Sequence, residues 1–199
     1  VLPVIVAVSG ASGAPYAVRL LEVLATRRVP VWLIVTGHGW RLLAHEAGIA
    51  DLAALQAATG GDWSTVTVFL DEDRGARPAS GSAKTSGMVI CPCSMGTVSA
   101  IAHGSSRSLV ERAADVVLKE RRKLIVVPRE TPLSLIHLRN LTALTEAGGV
   151  VLPAAPGFYH RPTEIGQLVD FIVQRVVDQL GLEIEITRRW EGGKEGRGD

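Results

Sequence analysis

Val4-Ile5-Val6-Ala7-Val8-Ser9-Gly10-Ala11-Ser12-Gly13 is the stretch that decides the fold. Its first half is an unbroken apolar run rich in β-branched residues, the pattern of a strand buried on both faces of a parallel sheet. Its second half is small and polar and reads as a turn. From Pro15 to Thr26 the apolar residues Ala17, Leu20, Leu21 and Leu24 recur at the spacing of one helix face. Pro15 suits the helix start, because its φ is preset and it has no amide donor to lose.

The same alternation runs through the chain. Further strands are predicted at Val31–Val35, Val66–Leu70, Met88–Cys91, Leu124–Val127 and Val150–Leu152, the third of these closed by Pro92 and the fourth by Pro128. Helices are predicted at His38–Gly48, Asp51–Ala58, Ser94–His103, Leu109–Arg121, Ser134–Ala147 and Thr163–Leu180. Gly148-Gly149 stops the penultimate one. Asp71–Thr85 reads as a long polar loop, a length that is uncommon without a function. Six apolar strands interleaved with helices predict an α/β fold: a single doubly wound parallel sheet, Rossmann-like or flavodoxin-like, with helices on both faces in three layers. Residues 1–190 are expected to form one domain, and the Gly-rich tail 191–199 is expected to be disordered.

Composition narrows the function. The 199 residues are 47% hydrophobic and 21% charged, with a formal net charge of +1. A chain of this size buries roughly 70% of its unfolded surface and needs no staple to hold a core. Outside Arg188–Asp199 the charges balance, which argues against a nucleic-acid or anionic-membrane footprint. No apolar run approaches the ~18 residues of a membrane span, and Val1–Val8 is too short and lacks the charged flank of a signal peptide. The two cysteines, Cys91 and Cys93, are separated only by Pro92. They read as free thiols of a reducing compartment, hence the cytoplasm. Nothing nearby marks them as nucleophiles, and C-x-C supplies too few ligands for zinc.

Ligands of such sheets bind at the carboxyl ends of the strands. Gly10–Ala14 follows the first strand, Thr36 and Gly37 the second, Ser94, Gly96 and Thr97 the fourth, and Arg129 and Glu130 the fifth. The first loop places glycines and a hydroxyl at a helix N-terminus, where amides and the dipole favour a phosphate or other anion; alone it is equally a tight βα turn. It lacks G-x-G-x-x-G, and no phosphate loop of the G-x-x-x-x-G-K-[ST] type appears. Ser94–Thr97 is a second turn of the same kind, and two in one crevice favour a mononucleotide phosphate. Arg129 and Glu130 either pair with each other or divide the work, the guanidinium binding an anion or ring carbonyl and the carboxylate handling protons. Arg112 and Lys119 lie seven residues apart on one helix face and could clamp a phosphate. Arg121-Arg122-Lys123 reads as a solvated face, and Asp71-Glu72-Asp73 as a solvated loop. The five histidines lack metal spacing, and Ser12 lacks the G-x-S-x-G of a hydrolase elbow.

Seven segments in order carry a family resemblance: Val8–Ala14, Ala79-Ser80-Gly81-Ser82, Cys91–Thr97, Glu111–Asp115, Leu118-Lys119-Glu120-Arg121-Arg122, Val127–Leu133 and Pro153–Tyr159. Together they resemble the UbiX family of flavin prenyltransferases, related to older phenylacrylic acid decarboxylase names. The resemblance implies transfer of a dimethylallyl group from dimethylallyl phosphate to N5 and C6 of reduced FMN, without a metal. The prenylated FMN would serve a UbiD-type decarboxylase, and the enzyme would be a dodecamer with sites between subunits. Carried over by position, it implies Gly10, Ala11, Ser12, Thr36, Ser94, Met95, Gly96, Thr97 and Arg129 at FMN. It implies Arg112, Lys119, Tyr159 and Arg175 at the donor phosphate, and Ser12, Glu46, Glu130 and Lys119 in catalysis. Trp190 would cover the site. Where some relatives place a Trp before A-S-G-S, this chain has Asp73-Arg74-Gly75-Ala76-Arg77. Cysteine-type flavin decarboxylases of a related fold carry A-S-A-N-T-like and P-x-M-N-like segments, which here read Ala79–Ser82 and Pro128–Thr131. A non-catalytic FMN carrier is the other alternative.

Overall fold

The computed structural model describes residues 1–187. Six strands, β1 (Val4–Val8), β2 (Val31–Val35), β3 (Val66–Leu70), β4 (Gly87–Cys93), β5 (Leu124–Pro128) and β6 (Val150–Val151), alternate with helices. These are α1 (Ala14–Thr26), α2 (Gly37–Ala47), α3 (Leu52–Thr59), α4 (Met95–Ala102), α5 (Leu109–Lys119), α6 (Leu135–Glu146) and α7 (Ile165–Leu180). All strands are parallel, in the order β3-β2-β1-β4-β5-β6, the doubly wound topology. β1 and β2 pair in step from Val4↔Val31 to Val8↔Val35.

Every residue of β1, β2, β4 and β5 is buried, as continuous apolar runs require. Side chains alternate between two cores. Val4, Val6 and Val8 pack with Leu20, Leu24, Leu43, Leu55 and Val173, which puts α1, α2, α3 and α7 on one face. Ile5 and Ala7 pack with Val98, Leu109, Val117 and Leu144, which puts α4, α5 and α6 on the other. Caps fall where short polar side chains precede each helix: Thr36, Asp51, Ser94, Ser108 and Ser134 each accept an amide of the first turn.

One expectation fails. β4 does not stop at Pro92 but runs on to Cys93. The register against β5 shifts between Ile90 and Cys93, so the proline stands at an irregularity where no ladder amide is needed. Its carbonyl instead accepts from the Ser9 amide at 3.2 Å and the Ser9 hydroxyl at 3.3 Å. The Asp71–Thr85 loop contains a 3-10 turn at Arg77–Ala79 and is pinned, not solvated, at its start: Asp71 accepts the Val110 amide at 2.9 Å and, through its carbonyl, that of Leu109 at 2.7 Å. Leu133, Leu135, Ile136 and Leu138 leave an apolar strip exposed at and before the start of α6. Among the described residues no helix is long and apolar enough to cross a membrane.

Candidate active site

The strands β2, β1, β4 and β5 are consecutive in space, so the residues after their carboxyl ends share one edge of the sheet. The order reverses between β1 and β4, and a crevice opens at such a switch point. Ser9 ties the two together. It is buried, and its hydroxyl accepts the Ser94 amide at 2.9 Å while donating to Pro92. The first turn of α4 is thereby fixed against the loop after β1.

That turn has the makings of an anion site. Ser94 caps α4 by accepting the Thr97 amide at 3.2 Å, and the Ser94 and Thr97 hydroxyls lie 3.0 Å apart. Among the described residues nothing accepts from the amides of Met95 and Gly96, in the first turn, where a helix presents unpaired donors. Gly96 is exposed, so a phosphate can approach the backbone. On this test the residues fit the phosphate of a mononucleotide. Thr36, which caps α2 by accepting the Gly39 amide at 3.0 Å, stands on the far side of β1.

The N-terminus of α1 behaves differently. Gly13, at φ +130°, turns the chain into the helix in a conformation other residues rarely adopt. Its amide and that of Ala14 both donate to one carboxylate oxygen of Glu46, at 2.8 and 2.9 Å. The anion at this helix end is therefore a side chain of the protein. Burial alone would raise the Glu46 carboxyl. The two amides, the Ser12 hydroxyl and the Arg129 charge outweigh it and hold the group below the ordinary carboxylate range. Arg129 Nε donates to the Ser12 carbonyl at 3.3 Å, and Glu130 accepts its own Thr131 amide at 3.2 Å. Among the described residues no ion pair joins Arg129 to Glu130.

Ser12, Glu46 and Arg129 thus meet within one chain. A cavity of 750 Å³ opens beside them, lined by Gly10 and by His38, Arg41, Leu42, Ala44 and His45 of α2. These α2 side chains were not singled out by sequence, since a surface helix with two histidines carries no motif. The four residues expected at a donor phosphate are divided. Arg112 and Lys119 lie on α5, paired with Asp115 at 2.7 Å and with Glu120. Arg175 lies on α7, on the opposite face of the sheet, 3.6 Å from Asp178. Tyr159 packs edge-on against Phe171 of α7 and lines a 290 Å³ cavity with it. Arg112 and Lys119 thus stand on one face of the sheet and Arg175 on the other. Trp190 and the tail lie outside the described residues.

Burial drives the Cys91 thiol up to about 12 and the Cys93 thiol higher still, so neither is a thiolate near neutral pH. Among the described residues no cluster of His, Cys, Asp or Glu could hold a metal. The cation run after α5 is not a free solvated face. Arg122 donates to the carbonyls of Ala83 and Gly81 at 2.8 and 2.6 Å, and Lys123 to that of Gln179 at 2.6 Å.

Comparison with known proteins places this geometry. Residues 2–177 match the Flavoprotein family. A flavin prenyltransferase UbiX of Pseudomonas aeruginosa is 46% identical over 191 residues, covering 92% of this chain and 91% of the relative. A dodecameric FMN-dependent UbiX-like decarboxylase from Escherichia coli O157:H7 superposes with a TM-score of 0.87 at 40% identity, over 96% of this chain and all of the other. An AnUbiX structure in complex with FMN and dimethylallyl pyrophosphate gives 0.83 at 36% identity, over 96% and 99%. A PPC decarboxylase, at 22% identity and 0.57, shares the fold alone.

Proposed function

The chain belongs to the UbiX flavin prenyltransferases, and we propose from that membership that it joins a dimethylallyl group from dimethylallyl phosphate to N5 and C6 of reduced FMN. The observation that carries the reading is the cluster of ionised Glu46, Ser12 and Arg129 at the switch point, beside the open amides of α4. The first turn of α4, with Ser94, Met95, Gly96 and Thr97, holds the FMN phosphate. Gly10, Ala11, Ser12, Thr36 and Arg129 line the rest of the flavin. When bound, reduced FMN supplies the nucleophile.

The other roles belong to this chain's side chains. Arg112, Lys119, Tyr159 and Arg175 meet the negative charge that develops on the phosphate as the allylic bond breaks. Glu46 stays ionised, orients the Ser12 hydroxyl and balances Arg129. Glu130, exposed and in no ion pair among the described residues, takes the proton that C6 gives up. Because α5 and α7 lie on opposite faces of the sheet, the donor site draws Arg112 and Lys119 from one subunit and Tyr159 and Arg175 from another. The apolar strip at the start of α6 and the dodecameric relative support a homo-oligomer of that size. The chain acts as one FMN-binding domain in the cytoplasm, and the product passes to a UbiD-type decarboxylase.

The test is anaerobic incubation with reduced FMN and dimethylallyl phosphate, followed by mass spectrometry of the released flavin. The expected product is a flavin heavier by one prenyl unit, lost in Glu130→Gln and Lys119→Ala. Tightly bound but unaltered FMN would make the chain a carrier instead.

A further inference from the structure

We propose that Arg122 is a positioning residue for the donor phosphate site: it grips the turn at residues 80–83 and so sets where that turn stands relative to Lys119. The inference rests on the assignment of Lys119 to the donor phosphate.

Three observations carry it. First, the half-buried Arg122 guanidinium spans two carbonyls of the turn, donating to Gly81 at 2.6 Å and to Ala83 at 2.8 Å, contacts 41 and 39 residues apart in sequence. A planar fork matches two acceptors in one plane, which an ammonium cannot do. Secondly, the gripped backbone lies directly against Lys119. A methyl group built at Gly81 would stand 2.9 Å from Lys119 Nζ and would collide with the Glu120 carboxylate. Any larger residue here would make the Lys119 and Glu120 side-chain ends move aside. Thirdly, the root of Arg122 is rigid. Its amide donates to Val117 at 2.9 Å, closing the end of α5, while the loop it holds is tied at its start by Asp71, packs Ala76, Ala79 and Ala83 against the core, and carries Arg77 4.9 Å over the Trp32 ring.

The physical consequence is that one short segment, 119–122, carries both a phosphate-binding cation and the arm that fixes the wall beside it. Lys119 rests on Glu120, and its charge holds the Glu120 carboxyl below its ordinary range. To reach a phosphate the ammonium must leave Glu120 while the turn stays in place. Without Arg122 the Gly81 and Ala83 carbonyls lose the fork that sets their distance from the ammonium, and the site loses its shape before it loses its charge.

Arg122→Ala and Arg122→Lys test this with three readouts: KM for dimethylallyl phosphate, kcat at saturating donor, and FMN affinity by flavin fluorescence. The expected result is a donor KM raised about tenfold in Arg122→Ala and less in Arg122→Lys, the range a displacement of a binding group produces. FMN affinity should be unchanged and kcat within about threefold. A donor KM unchanged in Arg122→Ala, or in Arg122→Lys where the alanine variant does not fold, overturns the proposal. So does an FMN affinity that falls by the same factor as donor affinity, since that marks a general loosening. A wild-type enzyme that leaves FMN unaltered overturns the prenyltransferase reading instead, and is seen before any variant is made.

Discussion

At the scale of single residues, the decisive group is Glu46. It lies 33 and 32 residues from the two amides it caps, on a different helix from the turn it completes. Glu46→Gln should lower stability by ~1 kcal/mol, the ordinary cost of a lost helix-end anion. The effect is tied to pH. The folded carboxyl titrates below its ordinary 4.5, so its contribution is fully present above that value and disappears as pH falls through the lower, folded one. Melting temperatures of wild type and Glu46→Gln should therefore differ near neutral pH and converge in acid; a gap that persists in acid would refute this account. Ser12 and Arg129 were legible in sequence because each follows an apolar run that could only be a buried strand. Glu46 was not, except by resemblance, because nothing in its own helix distinguishes it from any exposed acid. Arg122 was misread for the converse reason. It stands in a basic run, and the carbonyls that hold it come from a loop whose path no periodicity encodes.

At the scale of elements, the strands were read nearly residue by residue, since unbroken β-branched runs leave little freedom. The end of β4 differed because a proline at a register shift needs no ladder amide. The segment after α7 shows what pattern reading misses. Gln174 is buried, and its carboxamide accepts the Ile186 amide at 2.6 Å and the Thr187 amide at 3.3 Å while donating to the Ile184 carbonyl at 3.0 Å and to Asp178 at 2.9 Å. One side chain thus anchors a stretch with no regular structure and holds the acid that faces Arg175. Gln174→Leu should cost ~2 kcal/mol for the polar groups it strands. Amide exchange should quicken at Ile186 and Thr187 while the core of α7 stays protected. Equal loss of protection along α7 would show that the glutamine holds the helix rather than the segment.

At the scale of the whole molecule, the sheet both assembles a site and divides one. It gathers Ser12, Glu46 and Arg129 at one edge, yet it separates Arg112 and Lys119 from Arg175 by its own thickness. The fold class was legible in the alternation of runs; the division was not, because it depends on which face each crossover takes. If the donor site spans two subunits, Lys119→Ala and Arg175→Ala chains should each be inactive alone. Co-expressed in equal amounts they should recover activity in roughly a quarter of the sites, those that draw an intact residue from each chain. No recovery in mixed oligomers, verified by differently tagged chains, would place the site within one subunit. The carboxylate lodged in the α1 turn has a last consequence, for the moment of release. A pocket whose loops are braced only by what they bind tends to close upon it or to collapse when it goes. Here the brace is built in, so the turn keeps its form between occupants and the incoming flavin does not have to order it. A molecule that enters as raw material and departs as a finished cofactor calls for a berth of that kind, shaped in advance and indifferent to being vacated.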